Sequence, residues 1–338
     1  MAKPLSQIPL SVLDLATIVE GEDLAAAFRR SVTGAQNAER LGCTRYWFAE
    51  HHNMESVASA ATSVLIGHVA GQTKNIRVGA GGIMLPNHAP IVIAEQFGTL
   101  EALYPGRIDL GLGRAPGTDG LTAAALRRSL QGGDDFPRDV MELLRFLGPR
   151  DPEARVRAIP GEGAQVPVWL LGSSTYSAQL AAMLGLPFAF ASHFAPTYLH
   201  EALAVYRQRF EPSVYLREPH AMACVSVIAA DTDAEAQRLA TSFHQLVLGL
   251  IRNQRRPMPP PVDDMSSIWT PAEEAAVRQF AHYSFIGSKA TVEERLGDFV
   301  AETGIDELMI TAHIYDLDAR SRSLELVAPL FQQKNYPA

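Results

Sequence analysis

The sequence predicts an α/β chain folded as a (β/α)8 (TIM) barrel, and three observations predict it. Eight short β-rich runs alternate with amphipathic helical stretches, the pattern of a parallel sheet built from βα units. The 338 residues can bury one large barrel core without disulfides or metals. The residues that follow the runs are polar and rich in glycine, as expected of the face on which barrel loops converge. One domain spanning residues 1–338 follows.

The strands are read at residues 8–14, 45–49, 76–83, 107–112, 166–171 and 187–191, each bounded by Gly, Pro or a polar cluster. A long apolar strand at 221–230 and an eighth at 307–311 complete the set. Between the first two, residues 23–41 form a helix whose Leu24, Ala27, Phe28, Val32, Ala35 and Ala38 make one apolar stripe. Gly42 stands where a left-handed helix terminator belongs. Further helices cover 91–104, 139–147, 234–250, 291–303 and 321–332. Residues 252–271, RNQRRPMPPPVDDMSSIWTP, are too rich in Pro for a helix or central strand. They form an insertion between the seventh and eighth strands, read either as a cover over the barrel mouth or as a surface linker.

Composition narrows the function classes. With 37 acidic against 29 basic residues, a formal charge of -8 and no Lys/Arg run, the chain lacks the positive footprint that nucleic acid requires. No stretch of about 18 uninterrupted apolar residues is present to enter a membrane, and the first residues do not form a signal peptide. Cys43 and Cys224 are too few for a disulfide framework, so a reducing cytoplasm is expected.

On a barrel, chemistry gathers after the strand ends. Gly172-Ser173-Ser174-Thr175-Tyr176-Ser177 runs from an apolar strand into a helix. Its backbone N–H groups and hydroxyls either bind a phosphate at a helix N-terminus or cap the helix. Arg114, on the neighbouring loop, favours the phosphate because a planar, permanently charged fork clamps it. Gly111-Leu112-Gly113-Arg114 only superficially resembles a dinucleotide fingerprint, lacking the third glycine and the acidic partner. Its glycines admit approach to a flat ligand or a tight turn. Gly79-Ala80-Gly81-Gly82 likewise marks either a bulge or close approach by a backbone or ligand. Glu50-His51-His52-Asn53 suggests metal ligands, but adjacent side chains on an extended segment point apart, so no metal is expected. A histidine here is either a general acid or base or a hydrogen-bonded core residue.

At these residues the sequence resembles the luciferase-like flavin monooxygenases, in particular the YhbW-like group of class 1 enzymes. The resemblance is carried by residues 46–53 (YWFAEHHN), 78–88 (VGAGGIMLPNH), 105–114 (PGRIDLGLGR) and 167–174 (PVWLLGSS). It implies reduced FMN as co-substrate, supplied by a separate NAD(P)H:flavin reductase, with O2 and a small organic molecule as the other substrates. By position it implies that Gly172, Ser173, Ser174, Ser177, Gly113 and Arg114 hold the cofactor and its phosphate. It also implies a non-proline cis peptide at Gly81–Gly82 beneath the flavin ring, and His51 with Glu50 as the catalytic pair. A homodimer packed through early helices is implied too. The reactive cysteine of bacterial luciferases is replaced by Gly113 and their aromatic near the sixth strand by His193-Phe194, which argues against aldehyde oxidation with light emission. Rival readings are an oxidoreductase using the deazaflavin F420 for hydride transfer, a non-catalytic flavin-binding protein, and a metal-free hydrolase.

Overall fold

A computed structural model describes residues 3–126 and 135–334. Eight parallel strands close the barrel: β1 (Leu10–Asp14), β2 (Arg45–Phe48), β3 (Arg77–Met84), β4 (Ile108–Gly113), β5 (Val168–Gly172), β6 (Phe188–Phe190), β7 (Ala221–Ala230) and β9 (Glu307–Thr311). Each pairs with the next, β6 with β7, β7 with β9, and β9 back to β1. The helices between them are α1 (Leu24–Arg40), α2 (Thr62–Ala70), α3 (Pro90–Leu103), α4 (Gly120–Ala125), α5 (Phe136–Leu147), α6 (Thr175–Leu184), α7 (Leu199–Gln208), α8 (Asp233–Ile251), α9 (Pro271–Phe280), α10 (Lys289–Thr303) and α11 (Leu317–Val327).

A further strand, β8 (Ser284–Ser288), was not expected from the sequence. The ten-residue β7 outruns its neighbours: β6 pairs with Ala221–Ala223 only, and β8 takes over beside Ser226–Ala230. An exposed edge on so apolar a strand is a liability that β8 removes. Residues 252–270 contain no helix or strand, and α9 begins at Pro271, one residue inside the expected insertion. Thr270 and Glu273 form its reciprocal capping box. The insertion is anchored by Met258, which is buried and exchanges backbone bonds with Ile18 and Glu20 after β1. Arg255 reaches Asp119 at 3.7 Å.

Two other expectations are corrected. The final helix starts at Leu317, because Asp316 caps it through the Ala319 N–H, and ends before Pro329 rather than at 332. In α1, Ala27, Ala35 and Ala38 are buried as expected, but Leu24 in the first turn is 58% exposed. Arg30 is buried in that helix and donates to the Ile314 and Tyr315 carbonyls.

Side chains alternate along the strands, so every second residue enters the barrel. At the N-terminal end Arg45 lies between the carboxylates of Asp109 (2.8 Å) and Glu307 (2.7 Å). Its guanidinium also sits 4.8 Å from the Trp169 ring centroid. Above this ionic base Leu13, Trp47, Trp169, Met222, Cys224 and Met309 form an apolar layer, with the two indoles edge-to-face at 5.3 Å. The glycines of β3 and β4 make room here. A Cβ at Gly79 would lie 2.5 Å from the Asp109 carbonyl oxygen, one at Gly81 2.9 Å from the Trp47 ring, and one at Gly111 2.3 Å from the Ala80 carbonyl oxygen. The register shift between Ala80 and Ile83 shows that bulge and close backbone approach coincide. Gly111 and Gly113 are strand residues, so the turn reading of that pair is set aside. No helix among the described residues is long and apolar enough to cross a membrane.

Candidate active site

The segment after β2 is held from three sides. Glu50 turns inward and its carboxylate accepts bonds from His52 Nε2 (2.8 Å), His88 Nε2 (2.9 Å), Asn87 Nδ2 (3.2 Å) and the Met84 N–H (3.0 Å). Burial pushes its pKa up, but the His88 bond and charge, the His52 bond and the Met84 bond outweigh burial and hold it below the ordinary value. The Glu50 N–H donates to the Gly82 carbonyl and the His52 N–H to that of Gly117. Asn53, at φ 54°, donates to Asp119 and Thr122.

His51 is the member of this segment that the clamp leaves over. Its Nδ1 is buried without a hydrogen-bond partner, and burial holds its pKa below the usual value despite the Glu50 charge. The Gly81–Gly82 peptide is cis, as the resemblance implied.

The loops after β4 and β5 come together as expected. The Arg114 guanidinium lies 4.1 Å from the Tyr176 ring centroid, in the first turn of α6. Ser174 occupies the N-cap position of α6, yet its hydroxyl makes no capping bond. The N–H groups that open this helix therefore lack a side-chain acceptor from the cap residue. Ser173 and Gly172 lead into the same turn, and Ser177 in it is buried, its Oγ 2.9 Å from where a Gly172 Cβ would lie. Gly113 packs against the Met84 sulfur. A permanent cation beside an open helix N-terminus fits a phosphate monoester.

Two further histidines stand in the site: the sequence reading noted His193 after the sixth strand without giving it a role, and did not include His313. His193 follows β6 and His313 follows β9, and each has a buried Nδ1 without a partner. Burial, with the His313 and His51 rings nearby, brings His193 down to about 3, partly offset by the Cys224 carbonyl. Burial and the Arg320 charge bring His313 to about 4, with Asp14 opposing. The strand-end rule was the signal that could have found His313, two residues beyond an expected strand.

The family described as luciferase-like monooxygenase matches residues 9–307. The chain belongs to this family. A luciferase-like monooxygenase of Escherichia coli (strain K12) is 54% identical over 320 residues, covering 94% of this chain and 96% of the relative. N-acetyl-S-alkylcysteine monooxygenase of Bacillus subtilis (strain 168) is 38% identical over 238 residues, 68% of this chain and 70% of that one. Among solved structures, apo-MsnO8 has a TM-score of 0.87 at 35% identity, covering 98% of this chain and 99% of its own. The fold alone is shared with the oxygenating constituent of 3,6-diketocamphane monooxygenase of Pseudomonas putida in complex with FMN (TM-score 0.74, 19% identity, 97% and 100% coverage). It is likewise shared with an F420-dependent secondary alcohol dehydrogenase (TM-score 0.70, 13% identity, 97% and 100% coverage).

Proposed function

We propose that this luciferase-like monooxygenase binds reduced FMN at the barrel mouth and uses O2 to oxidise a small organic substrate. The observation that carries the reading is the convergence of Arg114 with the open N-terminus of α6, where Ser174 spends no hydroxyl on capping. Ser173, Ser174, Ser177 and Arg114 hold the FMN phosphate, Gly172 and Gly113 keep the two strand ends clear, and Gly81–Gly82 face the flavin ring. The FMN complex of a protein with this fold and the oxygenase names of the relatives support this reading.

Reduced flavin, when bound, supplies the electrons that activate oxygen. His51 holds or moves a proton at Nδ1, a role open to a neutral imidazole near pH 7. Glu50, whose carboxylate is fully engaged by the clamp, positions His51 and the end of β3. The anchored insertion excludes water from the mouth. A separate NAD(P)H:flavin reductase supplies the FMNH2, and the working unit is a homodimer. Val64 on α2 and Leu103 on α3, 71% and 63% exposed, supply apolar surface for that pairing.

Titration of the protein with FMN, FMNH2 and F420 tests the reading. FMNH2 is expected to bind more tightly than FMN, and Arg114→Ala to weaken both by about tenfold, the worth of one charge-assisted contact. Binding of F420 without FMN would replace oxygen chemistry with hydride transfer. Failure of all three would end the flavin reading.

A further inference from the structure

Three imidazoles from three different strand ends share the mouth. His51 follows β2, His193 follows β6 and His313 follows β9, and each carries a buried Nδ1 with no hydrogen-bond partner. In the closed ring the order β6, β7, β9, β1, β2 is continuous. The histidines therefore mark one arc, and Arg114 with the serine loop, after β4 and β5, occupies the remaining arc. His313 is only 8% exposed. The rings sense one another, since charge on His313 or His51 opposes charge on His193. Buried polar atoms are satisfied almost everywhere in proteins, so three orphans of one kind at one mouth point to a ligand.

We propose that His51, His193 and His313 form the substrate subsite, receiving the hydrogen-bonding group of an uncharged organic molecule on their Nδ1 atoms. This rests on the flavin reading, which assigns the opposite arc to the cofactor. The charged groups nearest the three rings are already paired: Glu50 with His52 and His88, and Asp14 with Arg320 at 3.1 Å. An anionic substrate would enter without a counter-ion and lose its hydration. An uncharged group, by contrast, finds donors and acceptors that a neutral imidazole offers on either nitrogen.

The surroundings suit an apolar body attached to that group. His313 stacks on Phe243 of α8 at 5.3 Å and 23°. Phe243 adjoins His244 at 6.0 Å, and His244 lies 5.7 Å from Trp269 of the insertion. This row of rings runs from the mouth to the insertion. At the other end Phe194 meets His193 edge-on at 4.8 Å and is 46% exposed. Aromatic walls with a few convergent polar atoms are the usual form of a small-molecule site.

Calorimetry separates the two readings. The protein is titrated first with FMN and, without oxygen, with FMNH2. The FMN-saturated protein is then titrated with two uncharged probes, benzamide and N-benzylacetamide, and two anionic ones, benzoate and N-acetyl-S-methylcysteine. The uncharged probes are expected to bind at least about tenfold more tightly than the anionic ones. His193→Phe and His313→Phe, which keep a ring but lose Nδ1, should each weaken the uncharged probes by about tenfold and leave FMN binding unchanged. His193→Asn, whose amide restores a polar atom near Nδ1, should recover most of the loss and exclude misfolding as its cause. With FMN bound, equal or tighter anion binding, binding of no probe, or indifference to His193→Phe and His313→Phe overturns the subsite alone. Failure of the native protein to bind either FMN or FMNH2 overturns the FMN reading and the subsite with it.

Discussion

His88 Nε2 lies 2.9 Å and 3.0 Å from the two oxygens of Glu50, joining the turn after β3 to the segment after β2. Two imidazoles, an amide and a backbone N–H converge on this one carboxylate, so all its neighbours donate. Glu50→Gln places an NH2 group among donors and is expected to cost about 1.5–3 kcal/mol, the range for hydrogen bonds to a charged group. Its ionised form is favoured in the folded chain. The stabilisation it brings is therefore complete above the ordinary carboxylate pKa and is lost as pH falls through the depressed folded value. Urea unfolding at neutral and acid pH should show the gap between native and Glu50→Gln proteins closing with acid. A gap of constant width would refute the clamp.

The mouth histidines give the same sign over a higher pH window. His193 at about 3 and His313 at about 4 stay neutral in the folded chain well below the ordinary value of 6.5. Between those limits the unfolded chain binds more protons, so stability falls as pH drops from 6.5. The ring C–H resonances of both residues should hold still from pH 8 to about pH 5, whereas a solvated imidazole shifts over that range. The double variant His193→Phe, His313→Phe should flatten the acid loss of stability. Ordinary titration near pH 6.5 would contradict the burial that holds these rings neutral.

Why some of this was readable from the sequence and some was not has a physical reason at each place. The eight barrel strands are short apolar runs with Gly, Pro or polar borders, a local signal, and all eight lie within two residues of their expected bounds. Strand β8 carries Ser284, Gly287 and Ser288 in five residues and exists because β7 is long, a cause that lies elsewhere in the chain. Gly79 and Gly81 announced a close approach, but that the approaching groups are Asp109 at the first and Trp47 at the second depends on strand pairing. Arg114 and the serine loop met because the barrel places successive loops side by side. His313 was missed because a lone histidine has no local pattern, and its meaning arises only when β9 closes against β1 and β7.

The ionic base of the barrel yields the largest stability effect. Burial pushes the Glu307 carboxyl up, but the Arg45 charge, the His220 and Arg45 bonds and the Ser11 hydroxyl outweigh it and hold it at about 2. Arg45 is buried beneath Trp47 and Trp169 and has Asp109 and Glu307 as its carboxylate partners. Glu307→Gln leaves that guanidinium half compensated, and breaking a buried pair from one side costs about 3–5 kcal/mol. The folded pKa lies below the ordinary value of 4.5, so the stabilisation is complete above pH 4.5 and disappears as pH falls towards 2. Chemical unfolding at pH 7 should separate the native and Glu307→Gln proteins by the full cost, and the separation should shrink steadily below pH 4.5. Because Arg45, Asp109 and Glu307 lie at the end of the barrel remote from Arg114 and His51, FMN affinity should stay the same at temperatures where both proteins are folded. A loss of FMN binding there would mean that the base of the barrel shapes its mouth.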